Sequence, residues 1–161
     1  MERFQEVRDK ANKHIHIADH MLSVTYPLVK DNKLLLAVIE NIFLAYTNAI
    51  GSLLYFERTF KRIPPFQENF ESKFTMFKEM CIVKYKFDKN YIVDIQDLKN
   101  IILSHRKSPV EFSRKDRFVI CSNNYKLETI GVNELKKHID KAKLFIQEIT
   151  NITSKDEGLF R

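Results

Sequence analysis

The run from Leu34 to Phe60, LLLAVIENIFLAYTNAIGSLLYFERTF, constrains this chain more than any other stretch. From Leu34 to Phe56 it is long and apolar enough for a helix to cross a bilayer. Glu40, Asn41, Thr47 and Asn48 interrupt it, and a charge at that depth is costly in lipid. The reading that satisfies both facts is a central helix surrounded by the others in a soluble protein, so no membrane span is expected. Glu40, Thr47, Asn48, Gly51, Tyr55 and Arg58 lie near one line of this helix. A polar stripe on a buried helix needs partners, either as a structural hydrogen-bond network or as the floor of a site.

Only 3 glycines and 4 prolines punctuate 161 residues, which argues for long helices and against a sandwich or barrel. A first helix is expected over Glu2–Val29. Phe4, Val7, Ala11, Ile15, Ala18 and Leu22 share one face, and Pro27 should kink or end it. A polar turn at residues 30–33 then returns the chain antiparallel. Pro64-Pro65 stops the central helix. The third helix is expected over Phe66–Tyr85, with Phe66, Phe70, Phe74, Phe77 and Cys81 inward. The fourth is expected over Tyr91–Ser104, and Asp94 near its first turn suits the positive helix end. Phe118–Ser122 and Tyr125–Ile130 read as two strands around Asn123-Asn124. Gly131 opens the last helix with Glu134 as a capping-box partner, and Leu135, Ile139, Ala142, Ile146 and Ile149 form its core stripe. The expected fold is all-α, a five-helix bundle with a small β-hairpin between helices 4 and 5. It forms one domain over residues 1–152, with a frayed tail at 153–161.

Cys81 and Cys121 are far apart and lack C-x-x-C spacing, so both read as reduced thiols, which fits the cytoplasm. The opening MERFQEVRDK has no apolar core of a secretory signal. His16 and His20 stand four apart on one helix face, the spacing of a metal pair. No H-E-x-x-H pattern or second ligand helix accompanies them. No metal and no cofactor is expected.

The stretch that could carry chemistry is Leu98–Ile130. Between residues 101 and 130, Arg106, Lys107, Arg114, Lys115, Arg117 and Lys126 outnumber Glu111, Asp116 and Glu128, in a chain of net charge +6. Phe112, Phe118 and Tyr125 lie among them. Cations interleaved with aromatics suit phosphate contact and base stacking. His105 sits at the end of the fourth helix, just before these cations. An imidazole there could move a proton to or from a ribose hydroxyl while a guanidinium holds the phosphate charge. The alternative is that Arg114 and Arg117 pin a long loop to the bundle. Lys136, Lys137 and Lys141 read as a solvated face of the last helix.

The layout resembles a HEPN-superfamily domain, a helical fold with many RNA-cleaving members. The family's mark is an arginine, often followed by a polar residue, then four to six residues and a histidine. The matching stretch here is Lys99-Asn100-Ile101-Ile102-Leu103-Ser104-His105. Asn100, His105 and the spacing fit; Lys99 stands where the family has arginine, and lysine lacks the planar fork that grips phosphate. Arg8-Asp9, four residues before His14, also fits the letter of the motif, but in the first helix. The resemblance implies His105, Lys99 and Asn100 as catalytic positions and a homodimer in which two histidine motifs meet. Degraded motifs imply weak or no catalysis. The expected function is an RNA-binding or RNA-processing module, with Arg106, Lys107, Arg114, Lys115 and Arg117 on the RNA. The competing reading is a helical interaction module with no nucleic-acid role, and a metal-binding bundle through His16 and His20 is a third.

Overall fold

The computed structural model describes residues 1–107, 111–114, 117–121 and 127–155, and between 106 and 130 it describes the backbone alone. The chain is mostly helical. Its centre is α3 (Lys33–Thr59), where Leu35, Val38, Ile39, Ile42, Tyr46, Ile50, Leu53, Leu54 and Phe56 are sealed from solvent. A helix apolar on nearly every side can only be stable if others cover it. Four do: α1 (Arg3–His20), α4 (Phe70–Met80), α6 (Asn90–Lys107) and α7 (Val132–Ser154) all pack on α3. Burying each such Leu, Ile or Phe side chain contributes about 1.5–3 kcal/mol. Among the described residues α3 is the one helix long and apolar enough to span a membrane, and half of its most apolar window is buried inside the fold. That burial is compatible with a soluble protein.

The first helix runs antiparallel to α3, as the contacts Arg3–Tyr55 and His14–Asn41 show. It does not run uninterrupted to Val29. A π-helical turn, Met21–Thr25, separates α1 from α2 (Tyr26–Val29), and the Tyr26 N–H reaches back to the Met21 carbonyl. Pro27 explains it: proline has no N–H to donate, and its ring crowds the carbonyl four residues back. Widening the preceding turn by one residue relieves both. The following turn closes on Lys30 in the left-handed region, φ 54°.

The third helix starts later than its aromatic stripe suggests. Pro64-Pro65 is followed by a connector up to Asn69, whose side chain accepts from the Ser72 N–H at 2.8 Å and caps α4. Phe74, Phe77 and Cys81 are buried, while Phe66 and Phe70 are only partly so. The helix breaks at Cys81, φ −110°, and resumes as α5 (Ile82–Tyr85). At the next helix the Asp88 carboxylate accepts from the Asn90 N–H at 2.9 Å.

Between α6 and α7 the backbone forms three short antiparallel strands in the order β1 (Glu111–Arg114), β2 (Arg117–Cys121), β3 (Leu127–Gly131). The expected five helices and two-stranded hairpin are therefore corrected: seven α-helical segments, a π turn and a three-stranded meander occur among the described residues. Glu111-Phe112-Ser113-Arg114 is too short and too polar to announce itself as a strand. The Gly131 N–H donates to the Glu134 carboxylate at 3.4 Å, the expected start of α7. Leu135, Ile139, Ala142, Ile146 and Ile149 are buried, and Phe145 joins them, its ring edge-on to Phe77 and tilted against Tyr46, Phe87 and Tyr91. The helix continues through Ser154 with Thr153 buried, two residues past the boundary read from sequence; residues 156–161 of the expected tail lie outside the described residues.

Candidate functional site

The three sequence-derived catalytic positions lie on α6. Lys99 forms an ion pair with Glu71 of α4, and its ammonium lies 4.7 Å from the centre of the Phe70 ring. Asn100 is exposed and accepts from the Gln96 side chain at 3.1 Å. His105 is half-buried near the end of the helix. A helix turns about 100° per residue, so Lys99 and His105 are about 120° apart around the axis. Lys99 is thus engaged across α4 rather than beside His105. Arg106 and Lys107 are the last residues of α6, Arg114 ends β1 and Arg117 begins β2. Arg114 and Arg117 are register partners. Lys115 and Lys126, and the side chains of the other four cations, lie outside the described residues.

Arg8 and His14, the second match to the motif, are both engaged in the fold. Arg8 donates to Thr153 at 2.8 Å and ties α1 to α7, while His14 Nδ1 donates to the Asn41 side-chain Oδ1 at 3.0 Å. His16 and His20 are exposed on α1, and no group of three metal-ligating side chains occurs among the described residues. Asp19, next to them, bonds Lys143 at 2.7 Å, which holds its carboxyl below the usual range. The polar stripe of α3 does not form one network. Glu40 is exposed, Thr47 and Asn48 bond back to the Leu44 carbonyl, and Tyr55 and Arg58 face a groove described below.

Two buried polar clusters escaped the sequence reading. Asp94, 6% exposed, accepts from the Tyr46 hydroxyl and from His138 Nδ1, each at 3.0 Å, and Lys141 lies 3.7 Å away. A carboxylate only accepts, so His138 carries its proton on Nδ1. Burial pushes the Asp94 carboxyl up, but His138, Tyr46 and Lys141 outweigh it and hold it below the usual range. Burial beside Asp94 raises the Tyr46 phenol far above its ordinary value. The cluster joins α3, α6 and α7. Lys141 is thereby drawn into it, unlike the purely solvated residue expected.

The second cluster is Glu57, fully buried at the end of α3. It accepts from the Tyr85 hydroxyl and from Lys84 at 2.8 Å, and Arg62 lies 3.8 Å away. Cys81 stands close by, its thiol pushed up to about 12 mainly by burial, which disfavours the thiolate.

Two grooves open at the surface. One, of about 750 Å³, lies between the π turn and the start of α7 and includes Lys30, Lys136 and Lys137. The other, of about 540 Å³, is lined by Arg3, Tyr55, Arg58, Thr59 and Glu68. Neither contains a sequence-derived catalytic position. No family model, no curated protein and no solved structure matches this chain.

Proposed function

We propose that this chain is an RNA-binding helical module, cytoplasmic and dimeric, that grips phosphates through the cations between Arg106 and Arg117 and has little or no cleavage activity. The observation that carries the reading is the β1–β2 register. It sets Arg114 opposite Arg117 in the strands that follow a helix closing on Arg106-Lys107. Four cations separated in sequence thereby belong to one end of α6 and the hairpin that follows it. Such a concentration suits a polyanion's backbone, which is recognised by charge before sequence. The ion pair of Lys99 with Glu71 supports the non-catalytic version, because the motif's cation is already neutralised. The HEPN-like reading of the Asn100–His105 spacing belongs to this proposal.

Fluorescence anisotropy with a labelled single-stranded RNA, across a salt series, tests it. Binding should weaken steeply with salt, and Arg114→Ala with Arg117→Ala should reduce the logarithmic salt slope by about two. Unchanged affinity and slope would leave the interaction-module reading in its place. Cleavage by the wild type that disappears in His105→Ala would restore the enzymatic version, and a strict monomer by light scattering would remove the dimer.

A further inference from the structure

The groove between the start of α1, the second half of α3 and the start of α4 contains one carboxylate and an excess of cations. Tyr55 is buried apart from the edge that reaches the groove, being 7% exposed. Its hydroxyl donates to Glu68 Oε2 and accepts from the Arg3 guanidinium at 3.1 Å. Lys73 pairs with the same Glu68 oxygen at 2.9 Å. The Arg3 guanidinium also lies 4.5 Å from the centre of the Tyr55 ring. Arg58 rests 5.5 Å from the centre of the Phe66 ring, and among the described residues no carboxylate pairs with it. Glu68 is thus the one carboxylate among the residues lining the groove with Arg3 and Arg58; Lys73 reaches it from α4, and Glu6 acts on Arg3 from α1.

Glu68 is held by side-chain contacts outside any helix. It belongs to the connector between α3 and α4, and its side chain is about half exposed (52%). What holds it is the anion position itself: a hydroxyl, an ammonium and the nearby guanidinium, supplied by three different helices. Aromatic rings lie against both guanidiniums, Tyr55 at Arg3 and Phe66 at Arg58, which favours cations at this place.

We propose that this groove is a binding site for a phosphate group and that Glu68 occupies the anion position in the ligand-free protein. A phosphate monoester offers three acceptor oxygens and nearly two charges, against the two oxygens and one charge of a carboxylate. Displacing Glu68 leaves three cations around such a dianion, a better match of charge than the internal carboxylate achieves. The site shares no residue with the cations assigned to RNA binding, and it stands whether or not that assignment does.

The test is calorimetric titration of the full chain with inorganic phosphate at pH 7.5, with ionic strength held constant by chloride. The variants all lie at exposed positions, so the fold is retained. Glu68→Gln removes the competing charge and should bind phosphate about tenfold more tightly than the wild type, while Arg3→Ala with Arg58→Ala should bind it about tenfold more weakly; each step corresponds to about 1.4 kcal/mol. Absence of saturable binding in Glu68→Gln, or binding unaltered by loss of both arginines, overturns the proposal. A second arm identifies the source of the phosphate. A short RNA with a 5′-phosphate that binds better than its 5′-hydroxyl twin, only while Arg3 and Arg58 are present, assigns the site to an RNA end. Equal binding of the two RNAs, with phosphate itself still bound, assigns it to a small phosphorylated molecule.

Discussion

Asp94→Asn is the sharpest test of how the helices are held together. The substitution conserves size and one acceptor oxygen but removes the charge. In the wild type Asp94 takes two charge-assisted hydrogen bonds, from Tyr46 and His138, each 3.0 Å long. Bonds to a charged group contribute about 1.5–3 kcal/mol and neutral ones about 0.5–1.5, so each loses about 1 kcal/mol and the pair about 2. Removing the charge also removes the cost of burying it, which makes about 2 kcal/mol the upper figure. For a chain of this size the melting temperature should fall by about 4–8 °C. The pH dependence has a definite sign. The folded-state carboxyl lies below its ordinary value, so its contribution is complete above the unfolded pKa of about 3.9 and is lost as pH falls through the folded one. Urea unfolding followed by circular dichroism at pH 7, and then stepwise down to pH 3, should show a gap between wild type and variant that closes below about pH 4. A gap under about 0.5 kcal/mol at pH 7, or one independent of pH, would refute the charge-based account.

Three further outcomes are expected. Tyr85→Phe deprives the buried Glu57 carboxylate of a donor and should cost about 1.5–3 kcal/mol in urea unfolding; no loss would mean that Lys84 and Arg62 suffice. Lys61→Gly should raise the melting temperature slightly, because Lys61 holds φ 57° at the end of α3. The relief of about 1 kcal/mol is partly offset by the freedom glycine adds to the unfolded chain, and a lower melting temperature would contradict it. Cys81, buried with its thiol pushed up to about 12, should resist iodoacetamide at pH 8 in the native protein and react in urea, as peptide mass spectrometry would read; modification of the native protein would show that the helix break at Cys81 opens.

Periodic features were legible in the chain because they are local. The prevailing apolarity of Leu34–Phe60, interrupted by only a few polar residues, required a covered helix, and the stripe from Leu135 to Ile149 marked the inner face of α7. The Gly131–Glu134 cap was readable because its partners are three residues apart. The start of α4 was misplaced because Phe66 continues the aromatic spacing, although Asn69 is the residue able to cap. Asp94 was read as a helix-dipole partner, yet its bonds go to Tyr46 and His138, 48 and 44 residues away. No local pattern announces such a cluster. The pairing of Lys99 with Glu71 is equally remote, and so is the meeting of Arg3 with Tyr55 and Glu68. Each depends on how whole helices pack, which short motifs do not encode.

The two outermost helices carry a mechanical consequence. Arg8 meets Thr153 and Asp19 meets Lys143, so α1 and α7 lie antiparallel with their outer ends side by side. A chain attached before Arg3 and another attached after Ser154 leave the molecule from the same place. Tension between them loads the Arg8–Thr153 contact first, then the next turn, and never the whole helix–helix seam together. Such a seam peels like a zipper at low force instead of shearing at high force. An optical-tweezers trace pulled from these two ends should therefore show early, reversible yielding well before the α3 core gives way.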